Sequence, residues 1–158
     1  MAEMSGLPEG VFLELATVAG LPGVDDPTWR RHLTIDEIAF CLGRRDTVSH
    51  LAARLLAKRA VLRSLGWSAG AKDNLPWQHV TIRRSSQQAP QVVLSGPLER
   101  WRRLHGLAVP AVTLTHAAGH IAALAWLVSN GPDRPGPDRP ASEAAQRPVP
   151  TPRQDAQW

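Results

Sequence analysis

The alternation of apolar and polar positions divides the chain into short elements. Val11–Val18 is an apolar run of strand type, closed by the turn signals Gly20, Pro22 and Gly23. Thr34 stands as an N-cap with Glu37 three residues on, a capping box that predicts a helix over Ile35–Leu42. The longest helix follows, from about Val48 to Leu65, and stops at Gly66. Its Leu51, Leu55, Leu62 and Leu65 recur at helical spacing, and Lys58 falls on the same stripe. Beyond a loop at Trp67–Pro76, the segments Trp77–Arg83 and Gln91–Leu94 read as two strands joined by a polar turn. A further helix is expected at about Pro97–Leu104. Val112–Leu114 and the Ala-rich His120–Val128 read as strands, with His116–Gly119 turning between them. The order β-α-α-β-β-α-β-β predicts an α+β domain, a small mixed or antiparallel sheet packed on the long helix.

Composition sets the limits of this domain. Of 158 residues, 43% are hydrophobic and 20% charged, a globular balance. Residues 1–130 read as one domain. Residues 131–158 hold half of the prolines and a doubled GPDRP, and are expected to form a disordered tail, because such a segment buries too little to offset its ordering entropy. No apolar run approaches the roughly 18–20 residues that span a bilayer, so no membrane segment is expected. Met1–Gly10 carries Glu3 and Glu9 without a basic stretch and does not read as a secretory signal. Cys41 is the only cysteine, which suits a reducing cytoplasm.

The net charge of +4 belongs to the folded part, because the tail's four arginines are matched by four acidic residues. Its focus is the long helix, with Arg54, Lys58, Arg59 and Arg63 and no Asp or Glu between Asp46 and Asp73. Like charges four apart cost a few tenths of a kcal/mol per pair. A solvated basic face is the ordinary explanation. Lys58 argues against it, since a position on the apolar stripe is buried or points into a cleft, where an ammonium needs an anion. Phosphate is the expected anion. His116, in Thr115-His116-Ala117-Ala118-Gly119-His120, sits at a turn between two strands, where it can face a shared cleft. His32, His50, His79 and His105 read as structural, and His120 stays open. The helix lacks the interleaved aromatics of a nucleic-acid surface, and Trp67 and Trp77 are expected in the core.

These residues resemble a known pattern. Leu33-Thr34-Ile35-Asp36-Glu37 is similar to the F-T-x-x-E motif of the holo-acyl-carrier-protein synthases, the small phosphopantetheinyl transferases. The run from Ala52 to Gly66 resembles their central A-x-R-F-A-A-K-E-A-x-x-K-A-L-G. Ala89-Pro90 with Val92–Gly96 resembles their G-K-P strand, and Val112-Thr113-Leu114-Thr115-His116 their closing V-S-I-S-H. The resemblance spans about residues 10–128. It implies binding of coenzyme A and transfer of its 4′-phosphopantetheine arm to a serine of an acyl carrier protein, with acidic side chains holding Mg²⁺. It further implies a trimer, with a mixed trimer including a paralogue open beside a homotrimer; the residues themselves predict no nucleic-acid or membrane partner. Arg54, Lys58, Arg63, Thr115 and His116 match positions that serve the cofactor, with Lys58 and His116 the candidates for catalysis.

Two departures stand out. Arg59 replaces the glutamate that follows the signature lysine as a metal ligand, and it is read as gripping the pyrophosphate directly. The family's first strand reads G-I-D-hydrophobic-V-E-I; here either register of Gly10–Leu15 puts Phe12 or Val11 at the aspartate, so no ligand is expected there. An Mg²⁺ site built this way binds poorly. Three functions stay open: a divergent transferase, a non-transferase relative (a pseudoenzyme or a subunit of a mixed trimer), and an enzyme acting on a carrier-tethered acyl or polyketide chain with His116 as acid or base.

Overall fold

The structure, a computed structural model, describes residues 9–67, 75–84 and 88–128. The expected tail lies outside them. The elements are β1 (Val11–Thr17), α1 (Pro27–His32), α2 (Ile35–Leu42), α3 (Thr47–Ser64), β2 (Val80–Arg83), β3 (Gln91–Leu94), α4 (Gly96–Leu104), β4 (Pro110–Ala117) and β5 (His120–Leu127). The fold is α+β, as expected. Several details differ from the sequence reading: His116 and Ala117 continue β4, leaving only Ala118 and Gly119 to the turn, and the strands divide into two sheets. A six-residue helix, α1, precedes α2, started by Pro27 and by Asp26, whose carboxylate accepts from the Thr28 amide at 2.8 Å. The expected strand at Trp77 begins instead as a 3₁₀ turn over Trp77–His79.

The capping box at the start of α2 is present, with Thr34 Oγ1 accepting from the Glu37 amide and Glu37 Oε2 from the Thr34 amide. α3 stops at Leu65, and Gly66 then takes the left-handed backbone conformation at φ 87° that a glycine enters without a Cβ clash.

The strands form two separate sheets. One has the order β1-β5-β4, all antiparallel, and the other is the β2-β3 hairpin. α3 lies against the first sheet. Ile121, Ala123 and Ala125 of β5 are completely buried, and the small side chains of the two alanines let the helix come close. α3 also packs on α2 and β2, so nearly its whole circumference is buried and a simple one-sided stripe does not describe it. The other face of the sheet carries Val11, Leu13 and Leu15 of β1 and Ala122, Leu124 and Trp126 of β5. None of these six is buried, and Leu15 is 59% exposed.

Candidate functional site

The four cations of α3 leave the helix in three directions, Lys58 toward Glu37, Arg54 toward Phe40 and Cys41, and Arg59 with Arg63 toward Glu14. Lys58 points inward and is fully buried. Its Nζ donates to Glu37 Oε2 at 2.6 Å, to the His32 carbonyl at 2.9 Å and to the Trp77 carbonyl at 3.2 Å. An ammonium has three N–H donors, and all three are taken. Burial pulls the Lys58 pKa down and Glu37 pushes back. The buried ammonium did require an anion, but that anion is the protein's own Glu37. This corrects the expectation that Lys58 meets a phosphate or takes part in catalysis. Glu37 also accepts from the Ile82 amide at 2.9 Å, so one carboxylate joins α2, α3 and β2.

Arg54 is also buried, at 4% exposure. Its guanidinium carbon lies 4.3 Å from the centre of the Phe40 ring, and Nη1 donates to Cys41 Sγ at 3.5 Å. Burial pushes the Cys41 thiol up, and Arg54 opposes it. Arg54 Nε has no partner among the described residues. It lines a cleft of about 450 Å³ together with Thr34, Asp36, Thr81, Arg83 and Gln91.

Arg59 and Arg63 are the cations left half-exposed, and both face β1. Between them lies Glu14, 7% exposed. Its Oε1 accepts from Arg63 Nη1 at 2.8 Å, and its Oε2 lies 3.4 Å from Arg59 Nη2. Sequence reasoning missed this residue. Strand alternation was the available signal, because an acid flanked by apolar residues in β1 has to point either to solvent or to the helix. The register Glu14↔Ala123↔Leu114 aims it at α3. The strand residue that meets Arg59 is therefore Glu14, and Phe12, on the same face, lies with its ring centre 5.6 Å from the Arg63 guanidinium carbon.

His116 pairs with Ile121 and lies on the α3 face of the sheet, whereas Thr115 pairs with Ala122 and lies on the other face. Alternation thus separates two residues expected to serve one ligand. The exposed His116 meets His50 of α3 edge to ring, with centroids 5.5 Å apart. Burial holds the His50 pKa below the ordinary imidazole value, helped by His116, Arg54 and Arg44 and opposed by Asp46. His32 and His105 bond to carbonyls of their own helices, as structural histidines do, and His120 to that of Ala118.

The geometry therefore presents Arg59 and Arg63 over Glu14, with His116 on the same sheet face, two strands across and two residues further along, about 12 Å from Glu14. The holo-[acyl-carrier-protein] synthase of Moorella thermoacetica is 34% identical over 100 residues, which cover 63% of this chain and 76% of that protein. That of Anaeromyxobacter sp. (strain K) is 33% identical over 115 residues, 73% and 86% of the two chains. The chain belongs to the holo-acyl-carrier-protein synthase family. The crystal structure of the Helicobacter pylori holo-[acyl-carrier-protein] synthase in complex with coenzyme A has the same fold. It has a TM-score of 0.61 and 19% identity over 75% of this chain and 99% of that one. No family model matches.

The divalent metal implied by the family resemblance does not fit these residues. Magnesium demands an octahedron of oxygens, and the α3–β1 seam offers one carboxylate with both oxygens facing arginines. Among the described residues, no three His, Cys, Asp or Glu side chains come together to hold a metal.

Proposed function

We propose that this synthase-family chain binds coenzyme A through its phosphates along the outer side of α3 and acts on an acyl carrier protein. Family membership and the two half-exposed arginines over Glu14 carry this reading. Arg63 and Arg59 are the phosphate ligands, and His116 stands at the sheet edge as the proton acceptor. Arg54 lines the α2–β2 cleft and is a further candidate anion contact there. The inherited reaction is attack by a carrier serine hydroxyl on the pantetheine-side phosphorus. The bond to the second phosphate breaks, adenosine 3′,5′-bisphosphate leaves, and the hydroxyl proton passes to a base. Negative charge grows on the leaving phosphate, where fixed arginines stabilise it.

Arg59 in place of a metal-binding glutamate favours a second reading, a relative that binds coenzyme A and carrier without transferring the arm, alone or in a mixed trimer. Incubation with coenzyme A and an apo carrier protein, followed by intact mass of the carrier, separates the two. Gain of one phosphopantetheine is the expected result. No gain with any carrier, while coenzyme A still binds, leaves the non-transferase reading.

Assembly belongs to the same proposal. The six incompletely buried side chains on the outer face of the β1-β5-β4 sheet, Leu15 the most exposed, form a face of the kind that other copies of the chain cover in a trimer. That no described helix is long and apolar enough to cross a membrane is consistent with a partner of this kind.

A further inference from the structure

The mismatch between the seam and a divalent cation has a positive counterpart. We propose that the Glu14–Arg59–Arg63 cluster stands in for the cation, so that this chain binds the diphosphate of coenzyme A without a metal. The inference rests on the coenzyme A reading above and extends it by naming the charge that neutralises the diphosphate.

Charge is the first argument. Two guanidiniums and one carboxylate leave a single net positive charge at the partly exposed seam of α3 and β1. The pattern this chain resembles has a lysine where Arg63 stands, two carboxylates and a doubly charged ion, which also leaves one positive charge. Replacing the strand carboxylate's partner by Arg59 and omitting the ion therefore preserves the local field. Adding an ion to the present side chains would place it against two fixed cations.

Geometry is the second argument. Arg59 and Arg63 lie four apart on α3 and repel each other unless something holds them together. Glu14 does so from β1, itself buried. Arg59 reaches it through one terminal nitrogen, and among the described residues it makes no other polar contact. Most of its five N–H donors are thus available to a ligand, and its side chain is 44% exposed. A planar fork of fixed charge matches phosphate oxygens two at a time, which an ammonium cannot do. Glu14 in this arrangement is a positioning residue that aims Arg59 and does not ligate an ion.

Calorimetric titration of the full chain with coenzyme A, in EDTA and then in excess magnesium chloride, tests this directly. Dissociation constants that agree within about twofold are expected. Titration with magnesium chloride alone should give no heat of binding. Arg59→Gln, which keeps length but removes charge, should weaken binding in EDTA by about tenfold or more. Arg59→Glu should do the same in EDTA and regain affinity with magnesium. Circular dichroism checks that each variant is folded, and Arg59→Gln serves alone if a second acid beside Glu14 disrupts folding. Coenzyme A binding that needs magnesium, or tightens about tenfold with it, overturns the inference and leaves the coenzyme A reading standing. Undiminished binding by Arg59→Gln in EDTA overturns it too. No binding under either condition overturns both.

Discussion

Lys58 shows what a single buried charge does in this protein. Its ammonium has a carboxylate and two carbonyls as partners, and no water reaches it. Removing one side of such a pair leaves the other charged and buried, at a cost of about 3–5 kcal/mol. Lys58→Met fills most of the same space and should lower stability in urea melts by about 3 kcal/mol, the low end, because Glu37 keeps its amide donors. A loss under about 1 kcal/mol would show that the pair is not what anchors α2 to α3. The need for an anion at position 58 was legible from the helical stripe. Which anion was not, because Glu37 lies 21 positions away and only the packing of α2 brings it near.

At the scale of elements, local signals were decisive where they were strong. The capping box located α2 to the residue, and Gly66 marked the end of α3. The short α1 went unread, since six residues hold less than two turns of periodic pattern. The helix α4 carries its own charge pairs. Glu99 in its first turn bonds Arg102 and Arg103, and Arg102 chiefly holds the Glu99 carboxyl down to about 2. A depressed carboxyl contributes fully above its ordinary value near 4.5 and loses that contribution as pH falls through about 2. The pairs are partly solvated, so the amount is about 1 kcal/mol or less. Glu99→Gln should therefore be less stable than the parent at neutral pH and equal to it near pH 2, as thermal melts across that range would record. A constant difference between the two at all pH values would rule out this origin.

For the molecule as a whole, the two faces of the β1-β5-β4 sheet have opposite fates. The face with Ile121, Ala123 and Ala125 is closed by α3, and the face with Leu13, Leu15, Leu124 and Trp126 is only partly covered among the described residues. If copies of the chain cover it, Leu15→Glu should shift the mass measured by light scattering from trimer to monomer, because an exposed charge in one chain becomes a buried one in the assembly. An unchanged mass would remove this face from the interface. The same sheet positions the site: it sets Glu14 under Arg59 and Arg63 and turns His116 toward His50. Neither arrangement depends on residues close in sequence.

The sequence by itself determined the order and type of most elements, the cationic helix, and the motifs that tie the chain to its family. These follow from periodicities and short spacings that act within one or two turns of chain. Tertiary structure alone decided how the four cations differ. Lys58 is spent on Glu37, Arg54 is stacked on Phe40, and Arg59 and Arg63 share Glu14. Partner choice at these positions depends on which strand and which helix come within a few ångström, and a Coulomb or hydrogen-bond partner is selected by distance in space, whatever its distance along the chain.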